Sequence, residues 1–437
     1  MDQKNVSNIF NNLKDRLKNS GLDAMLTKMN NIEMIILCII GIIIFMIIFW
    51  FYNTSKLLNS NCLNLANIYT SVTSSIPSIN SNNPVFGGKL IDYYIKTAYN
   101  CCCAGNFKND FVDSESTTPK LCALTNCIQQ GARCLDFEIY SYRNMPVIAA
   151  SSLNSNNIKE TFNYLDFDDA MKLLADIAFT PSFCSNSADP LILNFRIMSS
   201  NTSIYPIMAT SILKWFPDDN RLAPEYSINN YCLNLTYLPL LTFQKKLIII
   251  IDNNTFNNLI GLCPTNCSSG SSLNTGSPQN NCQNPNLLEV VHIHSESPYL
   301  KTIRFTNLQI TGDIASMQLN NKTSVTMLLP DLNANSKNMD PTIGINYGCQ
   351  LVGMSFQTFD INMEFYTLFF NNAATAFVLK PENLRHIDQY VDKPAPIPDA
   401  IIAAVSPQTH VIQSAAGPVS SIVFPKVLNW SIDKLIN

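Results

Sequence analysis

The chain has 437 residues, of which 28 are Lys or Arg and 32 are Asp or Glu, for a net charge of -4. This length admits one large domain or up to about three average domains. Because the charges nearly balance and no block of like charge stands out, nothing in the sequence indicates a nucleic-acid partner.

The N-terminal segment, residues 1–33, has apolar residues at helical spacing with lysines between them and a break at Gly21. This pattern predicts two short amphipathic helices on the cytoplasmic or internal side of a membrane. They would lie on the inner membrane face or pack against a partner protein.

Residues 34–52 carry no charge, and a helix of this length crosses ~30 Å of hydrocarbon. The segment predicts a single-pass transmembrane helix rather than a signal peptide, since 33 residues precede it and bulky aromatics end it. Trp50 and Tyr52 suit the membrane interface. Lysines are denser before the span than after it, which predicts an internal N-terminus and a large lumenal or exterior domain.

Of the 14 cysteines, only Cys38 lies in the span. That density beyond the span is typical of an oxidising compartment and predicts disulfides. Cys263, Cys267 and Cys282 lie in one loop, but no second close pair or nearby histidine completes four zinc ligands. Disulfides are therefore the favoured use of these cysteines.

Beyond a predicted stalk, residues 53–91, short apolar runs typical of buried strands alternate with helical patterns. The runs are Cys134–Tyr140, Pro146–Ala150, Leu191–Phe195, Leu247–Ile251, Val290–His294 and Leu351–Phe356, and the helices include Phe167–Ala178 and Ile204–Trp215. This alternation predicts an α/β fold with a parallel sheet closed into a TIM-type barrel. Residues 253–286 are rich in Asn, Ser, Gly and Pro without an apolar period, which predicts a linker.

Two long motifs stand near the C-terminus: residues 346–358 read NYGCQLVGMSFQT and residues 377–385 read FVLKPENLR. Their order and spacing resemble the Y region of eukaryotic-type phosphoinositide-specific phospholipase C. Gly131–Glu138 and Pro190–Phe195 are similar to segments of the X region. The resemblance implies an X-like half barrel at 92–252, a Y-like half barrel at 287–385, and a C-terminal tail at 386–437.

The family cleaves inositol lipids with two histidines as general base and acid and a calcium ion that assists attack by the inositol 2-hydroxyl. In the resembling segments, the two histidine positions fall at Tyr99 and Ala150. The four histidines of the chain are His292, His294, His386 and His410, all beyond the X-like half. The acid/base pair that the resemblance implies is therefore missing.

Three positions correspond to calcium ligands: Asn100 is kept, and Asp136 and Glu138 hold the two acidic positions with their identities exchanged. Arg196 stands where a further acid is expected. A fixed positive charge ~4 Å from a divalent cation costs several kcal/mol. The sequence thus predicts no resident cofactor and at most weak calcium binding.

Substrate-binding positions are changed as well. The phosphate-binding lysines implied by the resemblance fall near Ile250 and Asp252, and the substrate arginine falls near Met327. His292 and His294 end a predicted barrel strand and are candidates for a relocated acid/base pair, because barrel active sites lie at strand carboxyl ends. Ordinary core or solvated histidines are the simpler interpretation.

Two functional hypotheses remain open. In the first, the barrel has lost its chemistry and is a membrane-anchored structural or binding module for an inositol-lipid headgroup or a protein partner. In the second, it is a divergent phosphoric diester hydrolase of phosphatidylinositol-type lipids with rebuilt acid/base groups. Well-kept framework motifs beside a changed site favour the first. The Asn-rich composition and the layout of inner helices plus anchor also suit a membrane protein of a large DNA virus.

Overall fold

The computed structural model describes residues 31–70, 76–153, 158–230, 234–262, 285–387, 408–414 and 417–423. The chain divides into two compact units, residues 1–386 and residues 387–437. The predicted amphipathic segment lies almost wholly outside the described residues, and so do Cys263, Cys267 and Cys282.

Helix α1 (Asn31–Thr70) contains the predicted span and continues well past it. Its apolar part is fully exposed, and among the described residues α1 is the one helix long and apolar enough to cross a membrane. The uncharged, apolar sequence of residues 34–52 accounts for this, because a helix that is apolar all round needs lipid or a protein core to cover it.

The last third of α1 packs against the rest of the first unit. Cys62, Leu65 and Tyr69 recur at helical spacing and are buried. A disulfide joins Cys62 to Cys122, and the Tyr69 hydroxyl donates to the Phe356 carbonyl oxygen at 2.8 Å. The segment expected to be a stalk is therefore helical up to the end of α1, and it is fastened to the barrel rather than standing free.

Eleven strands form the main sheet. They are β1 (Tyr93–Ala98), β2 (Cys134–Tyr142), β3 (Met145–Ile148), β4 (Leu165–Asp166), β5 (Leu191–Ile197), β6 (Leu247–Ile251), β7 (Ile293–His294), β8 (Leu300–Arg304), β9 (Val325–Leu329), β10 (Leu351–Met354) and β11 (Phe377–Leu379). Eight run parallel in the order β7, β6, β5, β2, β1, β10, β9 and β8. The ring is nearly closed, with no ladder between β7 and β8 in the described part of the chain.

Helices cover the ring. After α1 they are α2 (Cys122–Gln129), α3 (Phe167–Ile177), α4 (Ile204–Trp215), α5 (Asn253–Leu262), α6 (Phe305–Gln309), α7 (Ile314–Thr323), α8 (Pro341–Asn346) and α9 (Ile361–Asn372). Several begin at an aspartate cap; the Asp360 carboxylate, for example, accepts from the Met363 amide at 3.0 Å. The predicted TIM-type barrel preceded by one apolar helix is thereby confirmed.

Burial on both faces is what a parallel barrel requires. All five residues of β6 are buried. Ile248 and Ile250 point into the ring, where they meet residues such as Leu351, while Leu247 and Ile249 alternate with them and face outward. Each fully buried side chain of this kind contributes about 1.5–3 kcal/mol.

Several elements differ from the sequence-based expectation. The run Pro146–Ala150 gives β3, which pairs antiparallel with β2 outside the ring. The start of the expected linker is helix α5, and the run Val290–His294 gives a strand only at its end. Barrel strands β1, β8 and β9 were not predicted, since charged or threonine residues interrupt their apolar runs. In the second unit, β12 (Gln408–Ser414) and β13 (Gly417–Val423) form an antiparallel hairpin within the predicted tail.

Candidate functional site

The carboxyl ends of β1, β2 and β5 bring the expected ligand positions together. Strands β2 and β5 pair so that Asp136 lies beside Asn194 and Glu138 beside Arg196. Because side chains alternate along a strand, all four lie on one face of the sheet, at the barrel mouth. Asn100 follows β1 with a positive φ of 44°, a conformation that asparagine tolerates better than most residues.

The guanidinium of Arg196 contacts every one of the predicted calcium ligands. Its Nε and Nη2 donate to the two Asp136 carboxylate oxygens, both at 2.9 Å. Its Nη1 donates to Glu138 Oε2 at 3.2 Å, and Nη2 also donates to Asn100 Oδ1 at 2.6 Å. The paired arginine and aspartate form the bidentate arrangement that is the strongest of the charge-assisted hydrogen bonds.

These charges are removed from water. Side-chain exposure is 0% for Asp136, 1% for Glu138 and 12% for Arg196. Burial raises the pKa of Glu138, and the positive charge of Arg196 offsets that rise only in part. Burial also disfavours the charged guanidinium, but the neighbouring carboxylates, Asp136 foremost, outweigh it and hold the pKa of Arg196 well above its ordinary value. The site is therefore a buried ion cluster in which one guanidinium faces two carboxylates.

Other protein groups complete the coordination of the two carboxylates. Asn194 Nδ2 donates to Asp136 Oδ1 at 2.7 Å, and the Asn100 amide donates to Asp136 Oδ2 at 3.2 Å. The Tyr140 hydroxyl donates to Glu138 Oε1. Both acids thus have protein donors at the oxygens that a metal would need.

This arrangement does not fit a calcium site. Calcium takes six to eight oxygen ligands, and here the oxygens of Asn100, Asp136 and Glu138 already surround one guanidinium. An ion could use them only if Arg196 left its three partners. Within the described ranges, no group of three or more His, Cys, Asp or Glu could hold a metal ion.

Tyr99, at the first expected histidine position, is a packed aromatic residue. It is 1% exposed, with its ring 5.1 Å from the Arg196 guanidinium and 5.4 Å from the Phe107 ring. Arg304 Nη1 approaches its hydroxyl at 3.4 Å. Burial raises the pKa of Tyr99, so the phenol stays protonated and cannot act as a general base near neutral pH.

The remaining expected positions carry no catalytic group at the mouth. Ala150, at the second histidine position, is fully buried. Ile250 points into the ring, and Met327 is buried within β9. Asp252 accepts from the Thr255 amide at 2.9 Å and the Ile197 amide at 2.8 Å, so it caps α5 and fixes the end of β5.

His292 and His294 are not brought to the carboxylate cluster. Ile293 lies between them and points into the ring, so the two histidines face outward. His292 Nδ1 accepts from the Ile249 amide at 3.0 Å, and the His294 ring stacks on Phe256 with 3.8 Å between centroids. Burial lowers the pKa of His292 to about 3 and also lowers that of His294.

Asn194, Tyr140 and Arg304 belong to this site but were not singled out from the sequence. Asn194 and Tyr140 each lie two residues from a predicted site residue, Arg196 and Glu138 respectively, along a strand. Period-two alternation would therefore have placed them on the same face. Arg304 ends β8, a strand that the sequence pattern did not reveal.

Residues 279–383 match the family described as phosphatidylinositol-specific phospholipase C, Y domain. The match covers most of the Y-like half barrel, including the first Y-region motif and most of the second. No curated protein sequence matches the chain significantly.

The chain is similar to several solved structures, and the first of those named here shares its fold. PLC21 of L. pealei matches with a TM-score of 0.51 at 19% identity, over 70% of this chain and 39% of that one. PLC21 of S. officinalis gives a TM-score of 0.48 at 19% identity with the same coverage. A calcium-dependent phosphoinositol-specific phospholipase C from Pseudomonas sp gives 0.37 at 8% identity, over 65% of this chain and 94% of that one. The chain therefore spans 39% of the length of the two PLC21 proteins.

These findings confirm the predicted resemblance to phosphoinositide-specific phospholipase C. The chain has the phospholipase C-like barrel, with a Y-domain match in its second half.

Proposed function

We propose that this protein is a membrane-anchored, phospholipase C-like barrel that works as a non-catalytic structural or binding module. The candidates for what it binds are an inositol-lipid headgroup and a protein partner. The lysine-rich flank before the span supports an internal N-terminus with the barrel on the lumenal or exterior side. The Asn-rich composition supports a place in the membrane of a large DNA virus.

One observation carries the proposal: Arg196 occupies the centre of the ligand set that the family uses for calcium. Its four hydrogen bonds tie together Asn100, Asp136 and Glu138. A calcium-assisted attack needs a cation that can also reach the substrate, and a guanidinium held on this many protein oxygens cannot exchange its ligands for a phosphate. Tyr99 and Ala150 remove the acid/base pair as well.

The test is turnover of phosphatidylinositol and phosphatidylinositol bisphosphate by the full chain reconstituted in vesicles, with and without calcium. We expect no release of inositol phosphate above that from empty vesicles. A calcium-dependent phospholipase C in the same vesicles shows that the substrate is accessible.

The matched control is the double substitution Asp136→Ala with Glu138→Ala. Calcium-dependent release by the natural chain, abolished in this variant, would sink the proposal and revive a divergent hydrolase. Release that the double variant retains would not come from the Asp136 and Glu138 site.

A further inference from the structure

A cavity of about 620 Å³ lies outside the barrel ring, between β6, the end of α4 and the loop 216–230. Leu247 and Ile249 of β6 line it with their outward faces. Leu247 stands at the amino end of β6, whereas Arg196 lies near the carboxyl end of the neighbouring β5. The cavity is thus separate from the mouth, and its size falls in the range of about 300–1,000 Å³ that small-molecule sites occupy.

His292 contributes one uncommitted N–H donor to this cavity. Its Nδ1 accepts from the Ile249 amide at 3.0 Å, so the neutral ring carries its proton on Nε2. Burial lowers the pKa of His292 to about 3, which keeps the ring neutral across the physiological range. Among the described residues, Nε2 has no hydrogen-bond partner.

Arg221 contributes a second donor. It lines the cavity, and its Nη2 pairs with the exposed Asp218 carboxylate. Its buried Nε–H has no acceptor within the part of the chain that the structure describes. A buried donor without a partner costs about 1–3 kcal/mol, which a ligand acceptor would recover. The neighbouring Lys246 is already committed, since its Nζ donates to the carbonyls of Asp219 and Arg221.

The two donors lie on the same stretch of wall. The backbone of Arg221 forms an isolated β-bridge with Leu247. His292 accepts a hydrogen bond from Ile249, two residues further along β6. That offset is about 7 Å along a strand, within the reach of an arginine side chain. The rest of the lining is mainly aliphatic, with Ile212, Leu222 and Val290 among its members.

We propose that this cavity binds an apolar molecule with one carboxylate, of the acyl or aryl-alkanoate class. The apolar body would lie among the aliphatic side chains, while the carboxylate accepts from Arg221 Nε and His292 Nε2. A charged acceptor fits better than a neutral one, because Arg221 brings a full positive charge and the opposing Asp218 and Glu289 are exposed to solvent. This site goes beyond the function proposed above and does not depend on it.

The experiment uses the full chain in lipid nanodiscs, with empty nanodiscs as the blank. Two matched probes are titrated at pH 7.5 and followed by saturation-transfer NMR: 3-phenylpropanoate and its neutral analogue 3-phenylpropan-1-ol. We expect the carboxylate to bind above the blank and more tightly than the alcohol. Arg221→Gln should weaken the carboxylate at least about tenfold, the value of one charge-assisted hydrogen bond, and change the alcohol less than twofold.

His292→Asn tests the second donor, because the asparagine oxygen can still accept from the Ile249 amide while the Nε2–H is gone; we expect a loss of about threefold. Lys301→Gln removes one exposed charge elsewhere and should leave binding unchanged. Arg221→Lys serves if Arg221→Gln fails to fold, and should lie between the natural chain and the blank. Equal affinity for acid and alcohol, no effect of either Arg221 variant, or no signal above the blank would each overturn the proposal.

Discussion

The amino end and the mouth of the barrel differ in how their residues compare with the family motifs. At the amino end, Gln350 and Lys380, one from each Y-region motif, are buried and hydrogen-bonded. At the mouth, Tyr99, Ala150 and Arg196 stand where the family resemblance implies other groups. Motif residues that build the barrel are present, and under the function proposed above those that would serve only the reaction are not.

The amino-end network shows why its residues can persist without catalysis. Gln350 Nε2 donates to the carbonyls of Ile91 at 3.1 Å and Asn321 at 2.8 Å, while its Oε1 accepts from the Thr326 amide at 2.9 Å. Lys380 Nζ donates to the same Asn321 carbonyl at 2.8 Å. These bonds join the segment just before β1 to the Y-like half barrel, so their loss would leave several buried groups unpaired.

At the mouth, too, buried charged groups have partners within the chain. Two buried carboxylates need a cation, and the family resemblance implies that a metal would supply it. Here Arg196 supplies a positive charge from within the chain and pairs with both carboxylates. The comparison teaches that two carboxylates buried at a barrel mouth need a positive charge from a ligand or from the chain itself.

The largest expected effect is that of Arg196→Met. This change leaves Asp136 and Glu138 buried side by side without their cation, which should lower the free energy of unfolding by about 3–5 kcal/mol at pH 7. Urea unfolding of the full chain in nanodiscs, followed by intrinsic fluorescence, measures it. Lys301→Gln, an exposed charge removal, should change stability by less than about 0.5 kcal/mol.

Calcium sharpens this prediction. In Arg196→Met the freed oxygens can take up the ion, so millimolar calcium should shift the unfolding midpoint upward, whereas the natural chain should not respond. A variant as stable as the natural chain, or a natural chain stabilised by calcium, would contradict the view that Arg196 replaces the metal.

The next largest expected effect is that of Lys380→Met at the amino end of the barrel, and it depends on pH. Burial lowers the pKa of Lys380 to about 7 from its ordinary 10.5. Between these values the unfolded chain binds the proton that the folded chain has released, so stability rises with pH at up to about 1.4 kcal/mol per unit. Lys380→Met removes this contribution. The unfolding free energy of the natural chain minus that of the variant should therefore rise by about 2 kcal/mol from pH 7 to pH 9.

Urea unfolding of both proteins across that pH range provides the measurement. Using the difference cancels other groups that titrate there, including Lys96, whose pKa burial also lowers to about 7. Parallel pH profiles for the two proteins would show that Lys380 keeps an ordinary pKa and is not sealed from water.

The sequence was sufficient for the fold and only partly sufficient for the site. Apolar runs and two motifs led to the barrel because parallel strands are buried on both faces and leave a strong pattern. That Tyr99, Ala150 and Arg196 occupy positions where the resemblance implies other groups stays a prediction from the sequence. Sequence spacing could not reveal that the Arg196 side chain hydrogen-bonds to Asp136, since a side chain with four rotatable bonds could equally point to solvent. Nor could it reveal the outward direction of His292, which depends on the register of a two-residue strand.

The smallest expected effect is that of Asp252→Ala, which tests whether Asp252 at the mouth stabilises the fold. Asp252 falls where the resemblance implies a phosphate-binding lysine, yet its carboxylate caps α5 and accepts from the Ile197 amide. Asp252→Ala should cost about 1 kcal/mol of unfolding free energy, the usual value of a helix cap. Asp252→Asn keeps one acceptor oxygen for the cap but loses the second, which accepts from the Ile197 amide, so it should cost less than the alanine variant by urea unfolding. If the alanine variant were as stable as the natural chain, the Asp252 carboxylate would contribute nothing measurable to stability. This position at the mouth would then have no structural role. If both variants cost about 1 kcal/mol, the second carboxylate oxygen and the charge would matter more than the cap, because asparagine keeps one acceptor oxygen but lacks both of these.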